Sequence, residues 1–202
     1  MLTDHWLDRW IDLARERAAD APVLEIGCGA GHDTSTLNAA GLRVMAFDLS
    51  AEAVANARKR VPGATIEQRD VRDPFPVEAR NLGLIVASLS LHYFPWTETL
   101  ALVERIRQTL RSGGVLLCRL SSTEDHNFGA TGHREIEPNF YEVDGAPKRF
   151  FDEAAVRAVF TSGWRILAIE HVVTRKYVLA KALWEVVVER ETSDESRTLT
   201  PR

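Results

Sequence analysis

A glycine-rich turn near the N-terminus contains the residues that most directly indicate chemistry. The run Glu25-Ile26-Gly27-Cys28-Gly29-Ala30-Gly31 comes at the end of an apolar segment, residues 22–26. Glycine accepts positive φ angles and lets a ligand approach the backbone closely. In a parallel sheet, ligands bind beyond the carboxyl ends of the strands. Such a turn after a first strand therefore predicts a site for a nucleotide-like ligand.

The glycine spacing leaves the kind of nucleotide open. In the dinucleotide pattern GxGxxG, a third glycine packs the helix on the strand, but His32 occupies that position here. A pyrophosphate would also meet Glu25 and Asp33 near the turn, with no nearby lysine or arginine to offset them. The sequence lacks the GK[ST] of a phosphate-binding P-loop at this turn. A dinucleotide-dependent oxidoreductase is therefore disfavoured but not excluded.

The pattern ExGxGxG resembles motif I of the class I S-adenosylmethionine-dependent methyltransferases, and the resemblance continues to about residue 121. Asp48 stands where the family has an acid that accepts both ribose hydroxyls, and a carboxylate has two acceptor oxygens for such a diol. Asp70 stands where the family has an acid near the adenine amino group, with Val71 supplying a backbone N–H. The resemblance implies S-adenosyl-L-methionine as the cofactor. The remaining residues that it places in the cofactor site are Glu25, Gly27, Cys28, Gly29, Gly31, Leu49, Ser88 and Leu89.

Alternating strands and helices must position these residues. Apolar periodicity and turn signals predict helices over 4–19, 33–40, 50–60, 96–110 and 152–160, and strands over 22–26, 43–47, 64–68, 82–89, 115–120 and 164–171. Residues 177–188 are ambiguous, but their apolar even positions favour a strand over a helix. This alternation predicts an α/β fold with a mostly parallel sheet and helices on both faces. The resemblance implies a Rossmann-like sheet of seven strands, the last one antiparallel.

A segment with little periodicity interrupts this alternation. Residues 121–150 contain two of the six histidines together with several aromatic residues. Long unpatterned segments in compact domains are usually functional lids or disorder, and the aromatic residues favour a lid because they can bury area. We therefore predict one domain over residues 1–190, with 121–150 as a substrate lid. The polar segment 191–202 is predicted to be a disordered tail.

The methyl acceptor is expected between this lid and the end of the fourth strand. His92 and Tyr93 follow that strand, while His133 and Tyr141 lie in the lid, and these four are the candidate catalytic residues. The unperturbed pKa of histidine is about 6.5, which suits a general base. A His92 ring that merely packs against the next helix is an equally good interpretation. No ligand spacing indicates a metal site, and none is predicted.

Composition narrows the partners and the location. The chain has 202 residues, a net charge of −4 and two cysteines outside any CxxC pair. It shows no signal peptide or membrane-spanning run, so a cytoplasmic protein without nucleic-acid or membrane partners is expected. A small-molecule acceptor and a monomer or homodimer are predicted, because the chain has no room for a separate recognition domain. A nucleic-acid or protein methyltransferase and a non-catalytic cofactor-binding protein remain alternatives.

Only the order of the predicted elements along the chain indicates a subfamily. A short N-terminal helix, a compact core and a lid after the fifth strand are similar to small bacterial methyltransferases of the tellurite-resistance type. No substrate-facing residue of the chain matches a pattern that carries over from that group.

Overall fold

Two sheets are built from ten strands in the computed structural model, which describes residues 5–175 and 178–192. The strands are β1 Val23–Ile26, β2 Val44–Asp48, β3 Thr65–Gln68, β4 Leu82–Ser88, β5 Leu110–Ser121, β6 Arg134–Glu137, β7 Phe140–Val143, β8 Ala146–Arg149, β9 Trp164–Thr174 and β10 Lys181–Arg190. The main sheet has seven strands in the order β3-β2-β1-β4-β5-β10-β9. Its pairings are parallel except those of β10, which runs antiparallel to both β5 and β9. The predicted fold class is confirmed.

Helices cover both faces of the main sheet. They are α1 Ile11–Ala18, preceded by a 3-10 turn over Asp8–Trp10, α2 His32–Ala39, α3 Ala51–Arg60, α4 Trp96–Thr109 and α5 Glu153–Val159. Apolar residues of α1, α2 and α3 pack in one buried cluster, and those of α4 and α5 pack in the other. The predicted caps are present, because Ser50 accepts from the Ala53 N–H and Asp152 accepts from the Ala155 N–H. The sheet between the two clusters fixes the strand ends that carry the predicted site.

Residues 121–150 are more regular than the sequence predicts. A 3-10 turn over His126–Phe128 is followed by β6, β7 and β8, which form an antiparallel three-stranded sheet. The turn between β7 and β8 is formed by Asp144 and Gly145, with φ angles of 51° and 79°. Two residues with positive φ are typical of the tightest hairpins, and Asp-Gly is a preferred pair there. The sequence pattern does not predict these three short strands.

One further strand differs from its predicted bounds, and one ambiguous segment is resolved as a strand. The strand predicted over 115–120 is longer in the structure, because β5 begins at Leu110, which pairs with Leu82 across a register shift. Residues 181–188 form a strand, as the alternating pattern favoured. Residue 177 and the predicted disordered segment 193–202 lie outside the described residues. In the described ranges, no helix is both long and apolar enough to cross a membrane.

Gly83 offers a direct test of how α1 packs on the sheet. A Cβ atom at Gly83 would overlap the backbone carbonyl of Arg17 near the end of α1, and backbone cannot swing aside as a side chain can. We expect Gly83→Ala to lower the free energy of unfolding by about 1–3 kcal/mol, as overpacking typically does. Urea denaturation followed by circular dichroism measures the change.

Gly63→Ala is the matched control for this substitution. A Cβ atom there would lie 3.7 Å from the nearest side-chain atom, Asn38 Oδ1, which is an ordinary contact. We expect a change within about 0.5 kcal/mol for this variant. Equal stability of the two variants would contradict the described contact between α1 and β4.

Candidate functional site

A cleft lies across the carboxyl ends of β1, β2 and β4. Its volume is about 720 Å³, within the range of about 300–1,000 Å³ usual for small-molecule sites. Nine of the predicted site residues line it: Gly27, Gly29, Asp48, Leu49, Asp70, Val71, Ser88, Leu89 and Tyr93. They come from four separate stretches of the chain, and the ends of neighbouring parallel strands bring them together. This is the edge of the sheet where α/β proteins bind ligands.

The glycine turn gives the cleft its open floor. Gly27 and Gly29 have φ angles of 72° and 52°, a region that side chains rarely adopt. A Cβ atom on Gly27 would overlap that of Ser90, whereas one on Gly29 would meet nothing within 4 Å. Gly31, with a φ of 78°, precedes α2 and packs against Ala57. The turn is therefore closely packed at Gly27 and Gly31, and it is open to the cleft at Gly29.

Asp48 joins this turn to the end of β2. Its Oδ2 accepts a hydrogen bond from the Gly29 N–H at 2.8 Å, and its Oδ1 accepts one from the Ser50 N–H at 2.9 Å. The carboxylate is only half-buried, and each of its oxygens has a second lone pair. An acid held by two backbone groups beside an open glycine turn is thus ready to accept hydrogen bonds from a pair of hydroxyls.

Ser90 is a cleft residue that the sequence reasoning missed. Its hydroxyl is buried, lines the cleft, and has no hydrogen-bond partner among the described residues. Unsatisfied buried polar atoms are costly, and a bound ligand is one way to satisfy them. The overlap that forces glycine at position 27 involves this same side chain. In the sequence, Gly27 is the signal that a neighbouring side chain lies close to the turn. Only the folded structure shows that this side chain belongs to Ser90.

Asp70, the acid that follows β3, is held by a different set of hydrogen bonds. Asp70 Oδ1 accepts from the Arg72 N–H at 2.9 Å, and the Arg72 guanidinium is held by Glu98 at 2.6 Å. Asp70 is half-buried, and the Val71 side chain beside it is buried. Since Arg72 is already paired with Glu98, it compensates only part of the negative charge on this side. A polar group of a ligand can therefore approach Asp70 from the cleft.

Glu25 lies beneath the turn rather than on the cleft surface. Its carboxyl is 2% exposed and accepts a hydrogen bond from the Thr34 hydroxyl at 2.6 Å. Burial, and then the charges of Asp33 and Asp48, raise the pKa of Glu25 to about 8. Glu25 is therefore a protonated acid at neutral pH, and it ties β1 to α2.

Cys28, another predicted cofactor residue, is also buried. Burial first, and the Glu25 carboxyl second, raise the pKa of the Cys28 thiol to about 12. The thiolate is the reactive form of cysteine, so Cys28 is not an activated nucleophile. In the described part of the chain, the cleft is not lined by Glu25, Cys28 or Gly31.

The exit of β4 carries the predicted catalytic pair. Tyr93 lines the cleft and is 45% exposed. The His92 ring lies behind it, with 4.3 Å between the ring centroids, and is only 2% exposed. Burial and the charges of Lys148 and Lys181 hold the pKa of His92 well below its usual value, so the ring is neutral. Its Nδ1 atom has no hydrogen-bond partner among the described residues.

The two lid candidates are not brought to this cleft. His133 is exposed just before β6, and Tyr141 is half-buried on β7, with its ring centroid 6.1 Å from that of Phe150. Neither residue lines the cleft, but Pro147 of the same small sheet does. Across residues 5–175 and 178–192, no group of three or more histidine, cysteine, aspartate or glutamate side chains is placed to hold a metal ion.

Residues near the N-terminus also approach the site. Trp6 is buried and donates from its indole Nε1 to Asp33 Oδ2 at 3.0 Å. The Arg119 guanidinium stacks over the Trp6 ring at 4.5 Å from its centroid, and Arg119 Nε donates to the Ser88 hydroxyl at 2.8 Å. Trp6 therefore joins the helix that follows the glycine turn to the end of β4.

Comparison with known proteins defines the class of this fold and site. The family model described as a methyltransferase domain matches residues 23–114. A solved S-adenosylmethionine-dependent methyltransferase from Mesorhizobium loti superimposes with a TM-score of 0.69 at 20% identity, over 92% of this chain and 97% of that one. Another from Methanosarcina mazei gives a TM-score of 0.71 at 13% identity, over 90% and 98% of the two chains. At these identities the likeness shows the fold.

Curated relatives match about half of the chain. A trans-aconitate 2-methyltransferase of Paracidovorax citrulli is 32% identical over 105 residues, which are 51% of this chain and 40% of the relative. A dTDP-3-amino-3,4,6-trideoxy-alpha-D-glucopyranose N,N-dimethyltransferase of Streptomyces venezuelae is 32% identical over 108 residues, 52% of this chain and 45% of the relative. The matched part of the chain thus spans less than half the length of either relative. Residues 23–114 therefore match a methyltransferase domain, and the fold is that of solved S-adenosylmethionine-dependent methyltransferases.

The buried Glu25 carboxyl makes stability depend on pH in a defined direction. Its pKa is about 8 in the folded state against 4.5 for an ordinary glutamate, so folding retains a proton that the unfolded chain releases between these values. Stability is therefore lost as pH rises through this window, by at most about 1.4 kcal/mol per pH unit. We expect Glu25→Gln to remove this loss, as measured by urea unfolding from pH 5 to pH 8.

Glu78→Gln is the control for this titration, because the Glu78 side chain is exposed. We expect its stability to follow that of the wild type across the range. Parallel pH profiles for wild type and Glu25→Gln would show that Glu25 is ionised in the folded protein.

Proposed function

We propose that the whole protein transfers a methyl group from S-adenosyl-L-methionine to a small-molecule acceptor by in-line displacement. The observation that carries the proposal is the half-buried Asp48 carboxylate, held by the Gly29 and Ser50 N–H groups beside an open glycine turn. When bound, the cofactor supplies a methyl group already activated by the positive charge on sulfur. The residues of the chain then have two tasks, which are to align the acceptor and to exclude water.

The cofactor contacts in this proposal follow from the chemistry of each group. Asp48 accepts hydrogen bonds from the ribose diol, and Gly29 leaves room for the cofactor to approach the backbone. Asp70 and the Val71 backbone serve the adenine edge. The unpartnered Ser90 hydroxyl gives the cofactor a further polar contact. Glu25 supports the glycine turn from below through Thr34.

The remaining residues of the predicted cofactor site have distinct places in this proposal. Leu49, 64% exposed, and Leu89 provide apolar surface in the cleft. Ser88, held by Arg119, fixes the end of β4. Cys28 and Gly31 shape the turn and the start of α2 without contacting the cofactor directly.

The acceptor side is proposed at Tyr93 and the small sheet β6–β8, which acts as the lid. Pro147 of β8 lines the cleft, which supports this assignment for the predicted lid 121–150. Tyr93 contacts the acceptor directly, and the buried His92 supports Tyr93 from behind. His133 and Tyr141 take part only if the small sheet closes further over the cleft. The names of the two curated relatives support a small acceptor, because they specify trans-aconitate and an amino sugar nucleotide.

Three features of this proposal rest on the sequence alone. They are a cytoplasmic location, a monomeric or homodimeric state, and the absence of nucleic-acid and membrane partners. The net charge of −4 supports the last of these, because it provides no overall attraction for polyanions.

Ligand-dependent thermal stability tests the proposed cofactor against a dinucleotide. At a concentration 100 times its dissociation constant, a ligand that binds the folded state adds about 2.7 kcal/mol of stability. We expect this from S-adenosylhomocysteine and not from NAD. Stabilisation by NAD alone would refute the proposal in favour of an oxidoreductase. Release of S-adenosylhomocysteine from S-adenosylmethionine, assayed over a panel of small acceptors, then measures the transfer itself.

Asp48 allows a sharper prediction about cofactor affinity. Hydrogen bonds to a charged group contribute about 1.5–3 kcal/mol each, so Asp48→Ala should weaken S-adenosylhomocysteine binding by at least about tenfold. Asp48→Asn keeps acceptor capacity toward the backbone but loses the charge, and it should lie between wild type and alanine. Isothermal titration calorimetry measures all three affinities.

Asp12→Ala is the matched control, because the Asp12 carboxylate on α1 is fully exposed. We expect its affinity to equal that of the wild type. An affinity of Asp48→Ala as high as that of Asp12→Ala would show that the ribose is not bound at the end of β2.

A further inference from the structure

A cluster of charged side chains lies behind Tyr93, outside the proposed cofactor site. Lys181 on β10 and Asp125 before β6 form a buried ion pair, with 2.7 Å between Nζ and Oδ2 and exposures of 5% and 1%. The ammonium group of Lys148 on β8 belongs to the same cluster. It donates to the Phe128 carbonyl at 2.7 Å and lies 4.9 Å from the centroid of the Phe150 ring. We call Asp125, Lys148 and Lys181 the lysine cluster.

The lysine cluster has more positive than negative charge. Asp125 is its one acid, and both of its oxygens are already used, by Lys181 and by the Ala182 N–H at 3.1 Å. Burial first, and the neighbouring Lys181 ammonium second, lower the pKa of Lys148 to about 8, so Lys148 remains charged at neutral pH. Asp144 also faces Lys148 but is exposed to solvent, so the two ammonium groups stand against one buried carboxylate.

The excess charge, carried by the half-buried Lys148, has no structural advantage. Replacing a buried ion pair by apolar residues is often neutral or stabilising, and an unpaired buried charge is costly. Phe128 and Phe150 already surround the ammonium groups with apolar surface, on which an aliphatic side chain would pack well. The charge at Lys148 therefore calls for a ligand of opposite sign.

The position of the lysine cluster indicates which ligand this is. Pro147, the residue before Lys148, lines the cleft, and so does Tyr93. His92, whose ring contacts that of Tyr93, lies within the electrostatic influence of both Lys148 and Lys181. Its buried Nδ1 atom, without a partner among the described residues, is a second polar atom behind Tyr93. The excess charge is thus on the acceptor side, away from Asp48 and Asp70.

We propose that Lys148 binds a carboxylate group of the methyl acceptor, with the Lys181–Asp125 pair positioning it and His92 Nδ1 as a further hydrogen-bonding contact. This inference rests on the proposed function and names its substrate class, an organic acid. A carboxylate carries the single negative charge that balances the cluster. A phosphate monoester, with nearly two charges at neutral pH, would leave negative charge beside the buried Asp125.

Titration of simple acids into the protein tests this inference. Benzoate, phenylacetate and propionate, each paired with its neutral amide, are titrated calorimetrically at pH 7 into the free protein and into the protein saturated with S-adenosylhomocysteine. We expect at least one acid to bind at least about tenfold more tightly than its amide. Phenyl phosphate is titrated in parallel, and tighter binding of it than of every carboxylate would overturn the assignment. Absence of binding by all three acids would overturn it too.

Variants of Lys148 separate this site from general charge effects. Lys148→Met should weaken carboxylate binding by at least about tenfold and leave S-adenosylhomocysteine affinity unchanged, which also shows that the variant is folded. Lys148→Arg keeps the charge and should restore most of the affinity. Lys59→Met, on the exposed surface of α3, should bind the acid like the wild type. Equal carboxylate affinity of Lys148→Met and wild type would refute the inference.

The pH dependence of carboxylate affinity is a further test, because a lysine with only a structural role would not affect it. Lys148 is faced by Lys181, Asp125, Asp144 and the neutral His92, and its pKa is about 8. Carboxylate affinity should therefore fall by roughly tenfold between pH 7 and pH 9.5 in the wild type. It should change little in Lys148→Arg, because a guanidinium stays charged throughout this range. Identical pH profiles for the two proteins would contradict the role of Lys148.

Failure of this inference is distinct from failure of the proposed function. A protein that binds S-adenosylhomocysteine but shows no carboxylate binding dependent on Lys148 keeps the proposed function and loses the inference. A protein that binds neither S-adenosylhomocysteine nor any methyl donor loses the proposed function. The titrations with free protein still report whether Lys148 holds an acid in that case.

Discussion

The hydrogen bonds of a single carboxylate organise the cleft. Asp48 accepts from the Gly29 N–H and from the Ser50 N–H, and so it joins the first glycine turn to the beginning of α3. The turn itself must stay open, because a side chain at Gly27 would overlap Ser90. Without Asp48, the N–H groups of Gly29 and Ser50 would need another acceptor. The two carboxylate oxygens of Asp48 therefore hold the glycine turn in place and also face the cleft where a ligand would bind.

Charge is distributed unevenly along the cleft. Asp48 and Asp70 place two acids at one end, and a third acid close by, Glu25, is kept neutral by burial. At the other end, Lys148 and Lys181 outnumber Asp125. A cationic sulfonium and an anionic acceptor would each meet the opposite charge on its own side. In the proposals made above, this distribution of charge orients the cofactor and the acceptor.

The order of the strands and helices of the main sheet could be predicted from the sequence, because local patterns determine it. The same is true of nine residues that line the cleft. Apolar alternation marked β10, and the glycine turn with Asp48 marked the cleft. The small sheet β6–β8 was missed although Asp144-Gly145 is a hairpin signal, because its strands are short and mostly exposed and lack a repeating apolar face. Contacts between distant segments, such as Gly27 with Ser90 and Lys148 with Lys181, leave no local pattern.

The position of β10 has a consequence for the order in which the chain can fold during synthesis. β10 follows β9 in the chain, yet it lies between β5 and β9 rather than at the edge of the sheet. β1 to β5 can pair as soon as they emerge, whereas β9 has no neighbour until β10 arrives. The nascent chain therefore holds the eleven-residue β9 unpaired until β10 has been made. A ribosome that stalls before Lys181 would leave β9 unpaired and one edge of β5 exposed, and unpaired strand edges are templates for aggregation.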